Sequence, residues 1–163
     1  MASPIPTGRE GLIPHLVCSP CSEAIEFYQK AFGAESAGCL MAPDGQRVMH
    51  AEILIDGKVI YLADDFPECC GGSERNPKAL GGTPVTVHQY VKDCDAAYNR
   101  AVEAGATPMM PMCDMFWGDR YGIVTDPFGH NWSFATHQRD LSPEEMQQAM
   151  IEAFEQADAA QGA

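Results

Sequence analysis

The sequence predicts an α+β fold built from two tandem copies of one β-α-β-β(-β) unit. The same order of strand-like and helix-like segments occurs twice, and in both copies the helix ends at a glycine. A shift of 73 positions places His15 on His88, and a shift of 72 places Gly33 on Gly105, so a one-residue gap aligns the two copies. Because an internal repeat decides the architecture, the chain is interpreted as two modules.

The first module begins with a predicted strand over 11–18, followed by a predicted helix over 19–34. Two further strands, 47–55 and 58–63, flank an Asp56–Gly57 turn. An Asp-Gly dipeptide between alternating apolar residues is a strong hairpin signal. The apolar residues that recur at helical spacing are Ala24, Ile25, Phe27, Tyr28, Ala31 and Phe32.

The second module repeats this order. A strand is predicted over 83–91 and a helix over 93–106. Strands over 120–125 and 130–136 flank a turn at 126–129. The helix assignment depends on the apolar positions Ala96, Ala97, Ala101, Val102 and Ala104.

The predicted organisation is a single domain over 11–137 with short additions at both ends. The segment between the modules is rich in glycine, proline and charge, and we expect either a linker or a mobile lid over a site. The predicted divisions are an N-terminal extension 1–10, module one 11–63, a loop 64–82, module two 83–137, and a C-terminal capping helix with its tail 138–163.

A separate helix is predicted near the C-terminus. Ser142 and Glu145 form a capping box, and Pro143 occupies the first helical position. The apolar stripe that follows predicts either an ordinary helix packed on its own chain or a contact in a dimer. It consists of Met146, Ala149, Met150 and Phe154.

The composition excludes several partners and compartments. With 10 basic and 23 acidic residues the net charge is −13, so we expect neither nucleic acid nor an anionic membrane as a partner. No apolar run is long enough to span a membrane, and the N-terminus lacks the pattern of a secretory signal. The 7 cysteines are an odd, irregularly spaced set, which favours reduced thiols and a cytoplasmic location.

Three segments carry a family likeness that covers roughly residues 11–137. They are IPHLVCSPCSEAIEFYQKAFGA, MHAEILIDGKVIYLADD and FWGDRYGIVTDPFGHNWSFATH. These segments resemble the vicinal oxygen chelate superfamily, and within it the PhnB-like glyoxalase/bleomycin-resistance branch. The resemblance implies paired βαβββ modules that form a curled mixed sheet around a cavity. It also implies a homodimer with one small-molecule pocket per chain.

Strand alternation then sorts side chains between the concave face and the helix face. Leu12, Leu16, Val85 and Val87 are expected to face the helices. Many polar groups are placed on the concave face, which predicts a functional site. The alternative is an internal hydrogen-bond network in which Glu52 pairs with Arg120. The predicted lining residues are His15, His50, Glu52, Tyr61, His88, Arg120, Asn131 and Ser133.

The resemblance also locates the positions that hold a metal in other members of the superfamily. They fall on Ile13, Tyr61, Thr86 and Ser133, and none of these is a good ligand for a divalent cation. No cofactor is therefore expected. A divalent metal at a displaced site formed by His15, His88 and Glu52 stays open as an alternative, and would make the protein a metal-dependent lyase, isomerase or dioxygenase.

Two metal-independent functions follow from the predicted pocket. In the first, the protein is a lyase- or isomerase-type enzyme in which His15 or His88 is the general base and Glu52 orients or shares the proton. Arg120, Tyr61 and Ser133 would stabilise an oxyanion. In the second, the protein only binds or sequesters a small molecule or antibiotic, held by the aromatic residues Phe116, Trp117 and Tyr121.

The segment HLVCSPC places a Cys-x-x-C pair beside His15. Zinc needs four ligands, and no second Cys-x-x-C completes a site with Cys18 and Cys21. Cys21 also has a repeat counterpart in Cys94, which favours a structural position in both modules. The adjacent Cys69 and Cys70 in the central loop are expected to be solvated thiols.

Overall fold

A computed structural model describes residues 3–161 and contains two four-stranded mixed sheets, with two of the helices packed against them. The predicted α+β class and the two tandem modules are confirmed. The elements in chain order are β1 (His15–Val17), α1 (Cys21–Phe32), β2 (Glu35–Met41), β3 (Val48–Ile55), β4 (Lys58–Ala63), α2 (Pro77–Leu80), β5 (Thr86–Tyr90), α3 (Cys94–Glu103), β6 (Thr107–Asp114), β7 (Asp119–Thr125), β8 (Asn131–His137) and α4 (Pro143–Gln161).

Both sheets have the same topology. Their strand orders are β1-β4-β3-β2 and β5-β8-β7-β6. β1 pairs with β4 in parallel and β5 pairs with β8 in parallel, while the other pairs are antiparallel. β1 and β5 are therefore equivalent edge strands, one in each module.

The sequence pattern predicts the fourth strand of each module only as an optional element, and the structure contains it in both modules as the outer strands β2 and β6. All residues of β2 are exposed, so its sequence lacks the apolar alternation of a half-buried strand. β6 contains Pro108 and Pro111, which are tolerated there because β6 is an edge strand.

The predicted turns and caps are confirmed where the backbone requires them. Asp56 and Gly57 both have positive φ, at 47° and 71°, as a type I′ hairpin turn demands. Gly33 has a φ of 67° and ends α1 in the left-handed conformation. The N–H groups of Gly33 and Ala34 donate to the carbonyls of Gln29 and Tyr28.

One core joins the two modules on the helix side of both sheets. α1 packs on α3, and the Phe32 ring lies 4.4 Å from the Trp132 ring of β8. The buried carboxylate of Asp126 accepts hydrogen bonds from the Tyr28 hydroxyl at 2.7 Å and from Trp132 Nε1 at 2.9 Å. The modules are thus held together by an aromatic cluster and a carboxylate that spans it.

Two residues expected on the helix face lie elsewhere. Leu12 is fully exposed and Val85 is 63% exposed, because each precedes the strand to which it was assigned. Leu16 is buried and Val87 packs against the core, as expected. The alternation therefore holds only within the actual strands.

The central loop is held by hydrogen bonds to one buried carboxylate. Asp65 accepts from the backbone N–H groups of Arg75 and Asn76 at 2.6 and 2.8 Å. α2 then packs closely on module two, where a Cβ on Gly129 would lie 2.9 Å from Cβ of Pro77.

The C-terminal helix α4 has the predicted capping box, in which Ser142 and Glu145 exchange hydrogen bonds. Its apolar stripe is not covered by its own chain, because Met146, Met150 and Phe154 are 39%, 39% and 63% exposed. The expectation of an ordinary packed helix is wrong on this point. Among the described residues, no helix has both the length and the apolar character needed to cross a bilayer.

Candidate functional site

Polar side chains lie side by side on the open face of module one. The strand register places His15 beside Tyr61, and Tyr61 beside Glu52, across β1, β4 and β3. His50 lies on the same face, with its ring 4.7 Å from the Tyr61 ring and 6.3 Å from the His15 ring. The four module-one residues predicted to line the pocket are therefore neighbours.

Glu52 has a different partner from the one considered in the sequence. Its carboxylate accepts a hydrogen bond from the Arg9 guanidinium of the N-terminal segment, not from Arg120. His50 Nε2 lies 3.5 Å from the other carboxylate oxygen. The bond from Arg9 lowers the pKa of Glu52, so this carboxylate is charged at neutral pH.

His15 is suited to accept a proton. Partial burial of its ring, together with the nearby His50, lowers the pKa of His15. A lowered pKa keeps the imidazole neutral at pH 7, and a neutral imidazole is the basic form.

The open face of module two is aromatic. His88 lies on Ser133, with 2.8 Å between Nδ1 and the hydroxyl oxygen. The Tyr90 ring meets the His88 ring edge-on at 4.8 Å, and the Tyr121 ring is stacked on it at 5.9 Å. Because Ser133 is almost completely buried, it orients the imidazole and is not accessible to a ligand. Its predicted role in stabilising an oxyanion is corrected accordingly.

A buried carboxylate supports this aromatic face. Asp119 of β7 accepts hydrogen bonds from the Tyr90 hydroxyl, from Trp117 Nε1 and from His137 Nδ1. Phe116 lies further out, with its ring 5.0 Å from the Trp117 ring. The aromatic residues proposed to hold a planar ligand therefore belong to one connected cluster.

The two faces meet at a cavity between the edge strands β1 and β5. Its volume is about 450 Å³. His15 and His88 both line it, together with Asn131, whose amide oxygen accepts a hydrogen bond from the Thr125 hydroxyl at 2.9 Å. A second cavity of about 630 Å³ continues along the same seam and also includes His88 and Tyr90. The predicted placement of the two repeat-equivalent histidines at one cavity agrees with this geometry.

Arg120 lies outside the site. Its guanidinium donates to Asp95 of α3 at 2.5 and 2.7 Å and to Asp114 at 3.1 Å. The strand register explains the error, because β7 presents Tyr121 and Ile123 to the open face and the even-numbered residues to the helix. Arg120 therefore stabilises the helix side of module two.

The residues present do not fit the metal site that the family resemblance implies. Ile13, Tyr61, Thr86 and Ser133 carry no strong ligand for a divalent cation. Across residues 3–161 no three His, Cys, Asp or Glu side chains come close enough together to hold a metal ion. The displaced site of His15, His88 and Glu52 is not assembled.

The cysteines of HLVCSPC lie in the core and not at the cavity. Cys18 and Cys21 have no exposed surface, and burial raises the pKa of Cys21 to about 12. Both are thus unreactive thiols at neutral pH. Cys69 and Cys70 are exposed in the central loop, as expected.

Sequence reasoning missed Arg9, Asp119 and His137. Arg9 belongs to an irregular segment, for which no periodicity assigns a face. Asp119 and His137 are paired across β7 and β8, so the register of these strands would have placed both on the face of Tyr121 and Ser133. The available signal was the alternation along β8: continued from Asn131 and Ser133 to the end of the strand, it places His137 on the open face.

A family model and a relative of known sequence both match most of this chain. The sequence model of the Glyoxalase/Bleomycin resistance protein/Dioxygenase superfamily matches residues 13–134. An uncharacterized protein of Mycobacterium tuberculosis is 48% identical over 139 residues, which cover 85% of this chain and 81% of that protein. Both comparisons extend over most of the two modules.

Solved structures show the same architecture. The X-ray structure of an Arabidopsis thaliana gene product is similar with a TM-score of 0.61 and 29% identity, covering 77% of this chain and 97% of that one. The PhnB protein from Bacillus cereus is similar with a TM-score of 0.58 and 14% identity, covering 78% and 99%. At that identity, the second likeness concerns the fold alone.

Proposed function

Because the chain belongs to the Glyoxalase/Bleomycin resistance protein/Dioxygenase superfamily, we propose that it acts on a small molecule at the cavity between β1 and β5. The chemistry is metal-independent proton transfer of the lyase or isomerase type. The observation that carries this proposal is that His15 and His88 line one cavity from equivalent strands of the two modules. Fold membership alone would not assign an activity.

The two histidines have different roles in this proposal. His15 is the general base, because its lowered pKa leaves the imidazole neutral and ready to take a proton from an acidic C–H or O–H group. His88 is held at Nδ1 by Ser133, so its Nε2 faces the ligand and forms a hydrogen bond to the oxygen that becomes negatively charged. Tyr61 lies outside the lining of this cavity and packs edge-on against the His15 ring at 6.1 Å, so it supports the base and does not contact the ligand.

His50 and Glu52 act behind His15. The charged Glu52, paired with Arg9, lies in the same row of side chains as His15 and near His50. Its carboxylate lies 3.5 Å from His50 Nε2, and His50 adds to the effect of burial in lowering the pKa of His15. Arg120 has no role in this chemistry, because it lies on the opposite face.

A screen of small carbonyl and hydroxy compounds, followed by proton–deuterium exchange at the acidic position, tests the proposal. His15→Ala is expected to lower exchange by roughly 10²- to 10⁴-fold with little loss of affinity. Asp95→Asn, on the helix side of module two, is the control. Unchanged exchange in both His15→Ala and His88→Ala would contradict the proposal.

Non-catalytic binding is the second candidate. The observation that favours it is the cluster of Tyr90, Trp117 and Tyr121, whose partly exposed rings suit a planar ligand. In that case a compound that quenches Trp117 fluorescence binds without turnover, and His15→Ala weakens binding alone. Stoichiometric metal in protein purified without a histidine tag would overturn the metal-independent chemistry.

A further inference from the structure

We propose that Asp119 is a positioning residue of the site, which fixes the aromatic rings around His88 through the hydrogen bonds that it accepts from Tyr90 and Trp117. The inference rests on the proposed function only in taking His88 as a functional group. Asp119 itself does not line either seam cavity. Its influence on a ligand would therefore pass through the rings that it holds.

The carboxylate of Asp119 is a buried hub for three separate segments. The residue is 4% exposed. It accepts from the Tyr90 hydroxyl of β5 at 2.7 Å, from Trp117 Nε1 in the β6–β7 turn at 3.1 Å, and from His137 Nδ1 of β8 at 2.7 Å. A buried carboxylate is costly unless donors surround it, so these three side chains and Asp119 stabilise one another.

Two of these partners connect Asp119 to His88, Tyr90 by direct contact and Trp117 through Tyr121. The Tyr90 ring stands at 87° to the His88 ring, with 4.8 Å between centroids. Trp117 packs at 5.7 Å against Tyr121, which is itself stacked on His88 at 5.9 Å. The Asp119 carboxylate is thus connected to both aromatic neighbours of His88.

The strand register shows why such an anchor is needed. Tyr90 and Tyr121 flank Ala135 in one row across β5, β8 and β7, and His88 and Ser133 lie in the next row. Tyr90 is 63% exposed, so neighbouring side chains leave its rotamer largely free. The bond from its hydroxyl to Asp119 restricts that freedom and keeps the ring edge against His88. Functional side chains need such support to hold their geometry.

His137, the third partner of Asp119, can also carry a positive charge. His137 lies between Asp119 and Asp140, with Nε2 at 3.0 Å from Asp140. These two carboxylates raise the pKa of His137, and both ring nitrogens donate when the imidazole is protonated. His137 therefore partly neutralises Asp119, while the two neutral donors orient the aromatic rings.

The chemical shifts of the His88 ring in ligand-free protein test this proposal, measured by ¹H–¹⁵N NMR at fixed pH. Tyr90→Phe keeps the ring and removes only the hydroxyl, while Asp119→Asn removes the shared acceptor charge. Both are expected to shift the His88 signals, and the signals of the residue 90 ring in a ¹H–¹³C spectrum should broaden. Asp95→Asn, which breaks the Arg120 bond on the other face, is the matched control and should leave His88 unchanged.

A double-mutant cycle separates positioning from a merely structural role. If Tyr90 acts through Asp119, Tyr90→Phe shifts the His88 signals in the wild-type background and has almost no further effect in Asp119→Asn. Additive shifts, or shifts no larger than those in Asp95→Asn, would overturn the proposal. Should Asp119→Asn fail to fold, Trp117→Phe takes its place as the second mutation of the cycle, and non-additive shifts of the His88 signals in Tyr90→Phe and Trp117→Phe are then the expected result. Because no ligand is used, the result is independent of whether the site proves catalytic.

Discussion

The open faces of the two modules are built on sheets of the same topology, but their side chains differ in chemistry. On module one, Glu52 is charged and paired with Arg9, and it lies in the same row as His15. On module two, the corresponding row contains His88, Ser133 and Ile123. The repeat thus preserved a histidine on each edge strand, while the positions beside it diverged.

This difference shows how one duplicated fold produces an asymmetric site. On module one, burial and the nearby His50 keep the base His15 neutral, whereas the aromatic face of module two can pack against a planar ligand. Each face also has its own support, which is Arg9 from the N-terminal segment on module one and the buried Asp119 on module two. Neither support has a counterpart at the equivalent place in the other module.

The largest effect on stability is expected at the connection between the modules. Tyr28 of α1 donates to the buried Asp126 of module two, whereas its repeat counterpart Ala101 has no hydroxyl. Tyr28→Phe should lower the free energy of unfolding by about 1–3 kcal/mol, because it removes a donor from the buried Asp126 side chain. Urea denaturation measures this loss.

Tyr98→Phe is the control for that comparison. Tyr98 lies on α3, is also buried, and its hydroxyl makes no hydrogen bond within residues 3–161. Its removal should change stability by less than about 0.5 kcal/mol. If both variants lost the same free energy of unfolding, the hydrogen bond from Tyr28 to Asp126 would contribute no specific stability to the connection between the modules.

A smaller effect concerns pH and has opposite signs in the two modules. The pKa of His15 is lowered by burial in the folded protein. As pH drops below about 6.5, His15 therefore binds a proton in the unfolded chain before it does so in the folded protein, and stability falls. The pKa of His137 is raised by Asp119 and Asp140, so its contribution is complete below about pH 6.5 and is lost as pH rises through the folded-state pKa.

Unfolding free energies of His15→Gln and His137→Gln across pH 5–8 test these signs. Relative to wild type, His15→Gln should flatten the acid side of the stability curve, and His137→Gln should flatten the neutral and alkaline side. If the unfolding free energies of the two variants changed with pH in the same way, the predicted opposite signs for His15 and His137 would be wrong.

The smallest effect is expected at Arg9. Arg9→Gln should raise the pKa of Glu52 by removing its main hydrogen-bond donor, with little change in stability because the ion pair is partly exposed. The ¹³C shift of the Glu52 carboxylate over a pH titration measures this. Lys30→Gln removes a positive charge from the same module without touching Glu52, and should leave that titration unchanged.

Much of the fold could be predicted from local patterns. The Asp56–Gly57 turn, the end of α1 at Gly33 and the buried Trp132 follow from backbone conformation and alternation within single strands. The face of β7 could not be predicted, because apolar side chains occupy both of its faces, as Ile123 and Val124 show. Its orientation depends on pairing with β8 across the 126–130 turn, which is longer than the hairpin turn of module one. For that reason the predicted orientation of Arg120 toward the pocket is wrong.

By itself, the sequence determined the duplicated α+β fold, the family and the two equivalent histidines, because short-range periodicity and turn residues encode them. Only the tertiary structure decided which groups accompany those histidines. Arg9 reaches Glu52 across 43 positions, and Asp119 gathers Tyr90 and His137 from two other strands. Such contacts depend on strand register and on the path of an irregular segment. These are set by packing of the whole chain and not by any local pattern.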